Sequence, residues 1–138
     1  MSRRLQWEEL DFLECLGVVP EVDEEDYGYS YEVTRGKITL HLIVWDWRNT
    51  VSLSLRQEGS PQPLIRFLLL VQGQARRRQE KWGEYLEFLD CVCAPEDGSC
   101  RVFSEEEIFD RRQFDRAMNV VVYVQPDICI KFEQQYPL

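Results

Sequence analysis

Apolar and polar residues alternate from Lys37 onward. In KITLHLIVW, Ile38, Leu40, Leu42 and Val44 fall on one face and Thr39, His41 and Ile43 on the other. A period of two predicts a half-buried strand. DWRN then reads as a turn, and TVSLSLRQ alternates again, with Val51, Leu53 and Leu55 inward against Ser52, Ser54 and Arg56 outward. Residues 37–56 are therefore expected to form a hairpin in an antiparallel sheet. After the turn residues of EGSPQP, LIRFLLLV is apolar on both faces and predicts a more central strand ended by Gly73. QARRRQEKWG is polar and basic and reads as a loop, whereas EYLEFLDCVC returns to strand composition with Leu86 and Phe88 facing one way. NVVVYVQPDICIKFEQ gives two alternating stretches around Pro126, which cannot donate to a ladder and so marks an edge, bulge or turn.

Two segments follow a helical pattern instead. LQWEELDFLECL, residues 5–16, sets Leu5, Leu10, Phe12, Leu13 and Leu16 among acids, and Gly17 follows as a left-handed cap. FSEEEIFDRRQFDRAM places Ser104 and Glu107 at capping-box spacing, with Phe103 and Ile108 as a hydrophobic staple. There is no internal repeat and no change of composition that would divide the chain. The expectation is a single domain over residues 1–138, of α+β class, with a predominantly antiparallel sheet of six or seven strands and two short helices.

Composition narrows the function. Lys and Arg number 16 against 25 acids, leaving a formal charge of -9, which repels nucleic-acid phosphates and anionic lipid and favours cationic partners. Neither a nucleic-acid nor a membrane partner is expected. The longest apolar run, Leu64 to Val71, contains Arg66 and is too short to span a bilayer, and no signal-peptide pattern opens the chain. The five cysteines, an odd number, suit free thiols in a reducing cytoplasm better than a disulfide framework.

Candidate catalytic chemistry is sparse. His41 is the one histidine and sits in a regular strand, where a sheet-surface role is the ordinary reading. Cys91, Cys93 and Cys100 with His41 have the wrong spacing for a zinc knuckle, since Cys91 and Cys93 share one side of a strand. Asp23, Glu24, Glu25 and Asp26 lack the alternating ligand positions of a calcium loop. Arg76, Arg77 and Arg78, with Lys81 and Trp82, form a basic cluster that reads as a solvated loop or as the partner of nearby acids. Phosphate loops, nucleophile elbows and dinucleotide fingerprints are absent, and the glycines are scattered singly. No cofactor, metal or enzymatic activity is expected.

The stretch EVDEEDYGYSYE is the most distinctive. Asp23, Glu24, Glu25 and Asp26 supply attraction toward a basic partner, while Tyr27, Tyr29 and Tyr31 supply rigid, amphipathic contact area. Trp45 and Trp47, flanking Asp46 at the hairpin tip, extend such a surface. The competing reading starts from YSYEVT, whose β-branched and aromatic residues favour an extended strand: Tyr29 and Tyr31 pack at the start of the sheet, Trp45 or Trp47 closes the core, and the acids are solvated. As a type, the acidic, histidine-poor chain with EVDEEDYGYSYE, the KITLHLIVWDWRNTVSLSL hairpin and the ending DICIKFE resembles the immunity proteins of bacterial toxin systems. That resemblance implies a non-enzymatic module that binds and neutralises a basic toxin domain. Two alternatives stand beside it: a small ligand-binding domain or enzyme built around His41 and acids of neighbouring strands, or a homo-oligomer subunit pairing through a strand edge at Val120 to Val124.

Overall fold

The computed structural model describes residues 4–81, 83–94 and 117–134. One helix, α1 (Glu9–Leu16), precedes nine strands: β1 (Glu21–Val22), β2 (Tyr29–Arg35), β3 (Ile38–Trp45), β4 (Thr50–Gln57), β5 (Ile65–Val71), β6 (Ala75–Glu80), β7 (Gly83–Ala94), β8 (Met118–Tyr123) and β9 (Cys129–Gln134). A 3-10 turn, Asp46–Arg48, joins β3 to β4. All the strands belong to one antiparallel sheet in the order β1-β2-β3-β4-β5-β7-β8-β9, with β6 also paired to β7. β7 is twelve residues long, so β6 lines its first half and β5 its last four residues.

The hairpin read from residues 37–56 forms in register, Leu40 opposite Leu55, Leu42 opposite Leu53 and Val44 opposite Val51. Those residues join Tyr31, Val33, Leu69, Leu86, Phe88, Val120 and Val122 in one core face. α1 seals that face with Phe12, Cys15 and Leu16, the i, i+3, i+4 stripe of a short helix. Phe12 meets Tyr31 at 5.6 Å and Phe88 at 5.9 Å, so the helix ties β2 to β7. The sheet curls around this core: Phe67 of β5 stacks edge-on against Phe132 of β9 at 4.9 Å, and Arg35 of β2 donates to the Val124 carbonyl at 2.9 Å.

Four expectations change. The sheet has nine strands among the described residues, rather than six or seven; the two unforeseen ones are β1, a two-residue edge, and β6. The arginine-rich run is that sixth strand and not a loop: Arg76 pairs with Glu87 at 2.9 Å, and Arg77 with Glu14 of α1 and with Glu84 at 3.2 Å. Carboxylates facing both sides of the strand make a charged sequence acceptable in a ladder. The first helix begins at Glu9 rather than at residue 5, because the preceding segment is taken by sheet: Gln6 bridges Gln74, and the Leu5 N–H donates to the Asp46 carbonyl at 2.8 Å. Leu10 and Leu13 lie off the Phe12, Cys15, Leu16 stripe and face solvent, while Gly17 caps the helix at φ 74 as expected. Finally, Val120 to Val124 is no edge, since β8 lies between β7 and β9. The second helix, expected over residues 103–118, falls outside the described residues except at its end, where Met118 opens β8. Among the described residues no helix is long and apolar enough to cross a membrane.

Candidate partner-binding surface

The acidic loop between β1 and β2 is built by its own side chains. Asp23 accepts from the backbone N–H groups of Glu25 at 2.7 Å and Asp26 at 3.1 Å, while its carbonyl accepts from Tyr27 and its N–H donates to Gly28. Asp26 in turn accepts from the Gly28 N–H at 2.9 Å. Short carboxylates bonded to nearby N–H groups are the turn chemistry that Asp favours. Tyr27 is thereby held at φ 59, a left-handed conformation uncommon for a bulky residue, with 63% of its surface exposed. Glu24 and Glu25 are exposed beside it.

The β3–β4 turn reaches across to this loop. Trp47 donates from Nε1 to the Asp26 carbonyl at 2.8 Å. Arg48 lies over both neighbouring rings, 4.5 Å from the centroid of Trp45 and 5.1 Å from that of Trp47. Stacked guanidinium and indole groups with one exposed edge are common anchors at protein interfaces. The Asp26 carboxyl is held below the usual carboxylate range, first by the Gly28 N–H, with the Trp45 indole and the Arg48 guanidinium adding to the effect. Between the loop and the end of β3 lies a cleft of about 440 Å³ lined by Glu21, Asp23, Glu24, Asp26, Ser30, Ile43 and Trp45, among others.

The fold separates the three tyrosines. Tyr27 projects from the loop, Tyr29 is half-buried against Trp7 at 4.9 Å, and Tyr31 is only 1% exposed in the core beneath Phe12. Trp45 is 6% exposed and Trp47 is 41% exposed. The exposed aromatic surface of these five residues therefore comes from Tyr27 and Trp47, whereas Tyr31 and Trp45 are buried and Tyr29 is half-buried. Arg48 is the participant that sequence reasoning passed over. Nothing in WDWRN distinguishes a turn arginine from one stacked on two indoles.

The other candidates are scattered. His41 bonds Ser30 through Nε2 at 2.6 Å on the opposite face of the sheet from the core, with Glu32 and Ser54 as its cross-strand neighbours. Among the described residues no acceptor bonds its other ring nitrogen, so the geometry of a triad is not assembled. The Ser30 contact carried no sequence signal, because a one-step diagonal between strands depends on register. Cys91 is fully buried and burial pushes its thiol up, the reverse of an activated nucleophile. It shares its face with Cys93 and lies opposite to His41; Cys100 is outside the described residues. Among the described residues no three His, Cys, Asp or Glu side chains are grouped to hold a metal ion.

The sequence matches no protein-family model and no curated protein. Its fold does match: the chain superposes on one from a contact-dependent growth inhibition toxin–immunity protein complex of Klebsiella pneumoniae 342, with a TM-score of 0.68 and 11% identity, over 98% of this chain and 100% of that one. The two share an architecture from end to end.

Proposed function

We propose that this chain is an immunity protein, a non-enzymatic cytoplasmic module that binds and neutralises a basic toxin domain. The observation that carries the reading is the end-to-end likeness of fold to a chain from a toxin–immunity protein complex. Charge favours the neutralising role of the two, since a net -9 with exposed acids at Asp23, Glu24 and Glu25 attracts a cationic surface. The contact face is the β1–β2 loop with Tyr27 and Trp47. Tyr29, Tyr31 and Trp45 hold that face in shape.

Three measurements test it. Tagged protein should recover one basic protein from lysate of its own source at low salt and release it as salt rises, and co-expression should abolish that protein's toxicity. A recovered partner whose toxicity persists overturns the proposal. Replacing Glu24 and Glu25 together by Lys should slow association about tenfold or more at low ionic strength, with the difference fading at high salt. An unchanged association rate removes the acidic loop from the interface.

A further inference from the structure

We propose that β9 is a docking edge for a second copy of this chain: two copies join antiparallel along β9, about a two-fold axis at Phe132, so that their sheets run on as one. Lys131 of each copy then stands opposite Glu133 of the other. The inference is independent of the immunity reading, because β9 lies at the opposite end of the strand order from the acidic loop.

The edge is open. β9 pairs with β8 from Cys129 to Gln134 without a shift of register, and among the described residues no strand lies on its other side. A row of unpaired N–H and C=O groups pairs with another strand unless something guards it. The other end of the sheet is guarded, since β1 is two residues long and bears Glu21 beside the acids of the loop. β6 is flanked by α1, where Arg77 meets Glu14. β9 has neither proline nor bulge, and Cys129, Lys131, Phe132 and Glu133 are exposed on it. On the core side Phe132, 40% exposed, stacks against Phe67, and Ile65 on the same face of β5 is 42% exposed. An apolar rim therefore borders the free edge.

Charge selects the occupant and the register. Residues that stand opposite each other in an antiparallel pair share one side of the sheet. Ile130 and Phe132 take the core side, opposite Val122 and Val120, whereas Lys131 and Glu133 take the outer side, opposite Val121 and Asn119. A two-fold pairing that keeps the core side continuous must put a residue on the axis. With Lys131 or Glu133 there, like charges meet; with Ile130 there, neither charge finds the other. Phe132 on the axis makes the Lys131 to Glu133 pair twice and sets the two Phe132 rings against each other. Among the described residues neither Lys131 nor Glu133 is in an ion pair, and Lys131 lies over the Tyr123 ring at 5.2 Å. Two chains of net charge -9 repel each other, and a strand with one charge of each sign is where the local repulsion is least.

Sedimentation equilibrium of the whole protein at physiological salt, where charges are screened beyond about 8 Å, reads the assembly. The unaltered chain should be half dimer at about 0.1 mM, the weak class of association that one strand edge supports. Lys131→Glu and Glu133→Lys, both at exposed side chains, should each bring like charges together and weaken the dimer about tenfold or more. An equimolar mixture of the two variants should dimerise at least as well as the unaltered chain, because each copy then offers the other only opposite charges. Misfolded chains would show no such recovery. Glu24→Lys combined with Glu25→Lys, in the acidic loop, should not weaken the dimer. An unaltered chain that stays monomeric up to about 1 mM, or a mixture of variants that stays monomeric, overturns the edge. So does a dimer that the loop changes break and the β9 changes leave intact.

Discussion

Tyr27, Tyr29 and Tyr31 lie within five positions and end in three environments: a loop held at positive φ, the flank of Trp7, and the core under Phe12. The buried and the exposed one make opposite predictions. Tyr31 has a buried hydroxyl with no partner, so Tyr31→Phe should leave stability unchanged or raise it by about 1 kcal/mol in urea denaturation, and should leave partner capture intact. Tyr27→Ala should change stability by less than about 0.5 kcal/mol yet weaken the partner complex about tenfold or more in a titration. The alternation that places Tyr29 and Tyr31 on the core side with Val33 was legible in YSYEV, because a strand's period is fixed. What was not legible was where that strand begins. Asp23 and Asp26 draw the backbone into a turn through Gly28, and that turn leaves Tyr27 outside. Thiol reactivity follows the same logic: Cys129 is exposed and should take up alkylating reagent in the native protein, while Cys15 and Cys91, buried, should label only on unfolding.

At the scale of elements, the legible ones were those whose pattern answers to a single face. The β3–β4 hairpin shows this, since every second residue from Ile38 to Val44 is apolar and the tip is polar. β6 failed the same test because its stabilisation is ionic: Arg76 and Arg77 find Glu87, Glu84 and Glu14 on two other elements, and no periodicity within ARRRQE announces those partners. α1 was legible in its cap and not in its start. Gly17 marks the end locally, but the residues before Glu9 are taken by Gln74 and Asp46, far along the chain. The helix holds on through Phe12, Cys15 and Leu16, and Phe12 is the largest of the three. Phe12→Ala should cost about 3–5 kcal/mol in urea unfolding, and Leu10→Ala, at an exposed position, less than about 0.5 kcal/mol. A small penalty at Phe12 would mean that α1 is not the lid of the core.

For the whole molecule, two buried groups, the Cys15 thiol in the core and the Tyr85 phenol outside it, tie stability to alkaline pH. Burial, then the bonded Glu80 carboxylate, pushes Tyr85 from 10.0 up to about 12, and burial pushes Cys15 from 9.0 up to about 12. Both pKa values are raised on folding, so the folded state keeps protons that the unfolded chain releases. Their contribution is whole below about pH 9 and is lost as pH rises toward about 12. The unfolding midpoint in urea should therefore be level with respect to these groups from pH 7 to 9 and fall steeply above pH 10; a level midpoint up to pH 12 would contradict the burial described. The Phe12–Phe88 contact has a consequence for biosynthesis. Phe12 is made about 76 residues before Phe88, and a ribosome adding about 5–20 residues per second leaves an interval of about 4–15 s. Throughout it the segment that will seal the core has only part of its seat, Tyr31 on β2, while the β7 side that Phe88 supplies is still to be made. The piece made early is placed late, and a nascent-chain chaperone that shields it would raise the yield of folded protein.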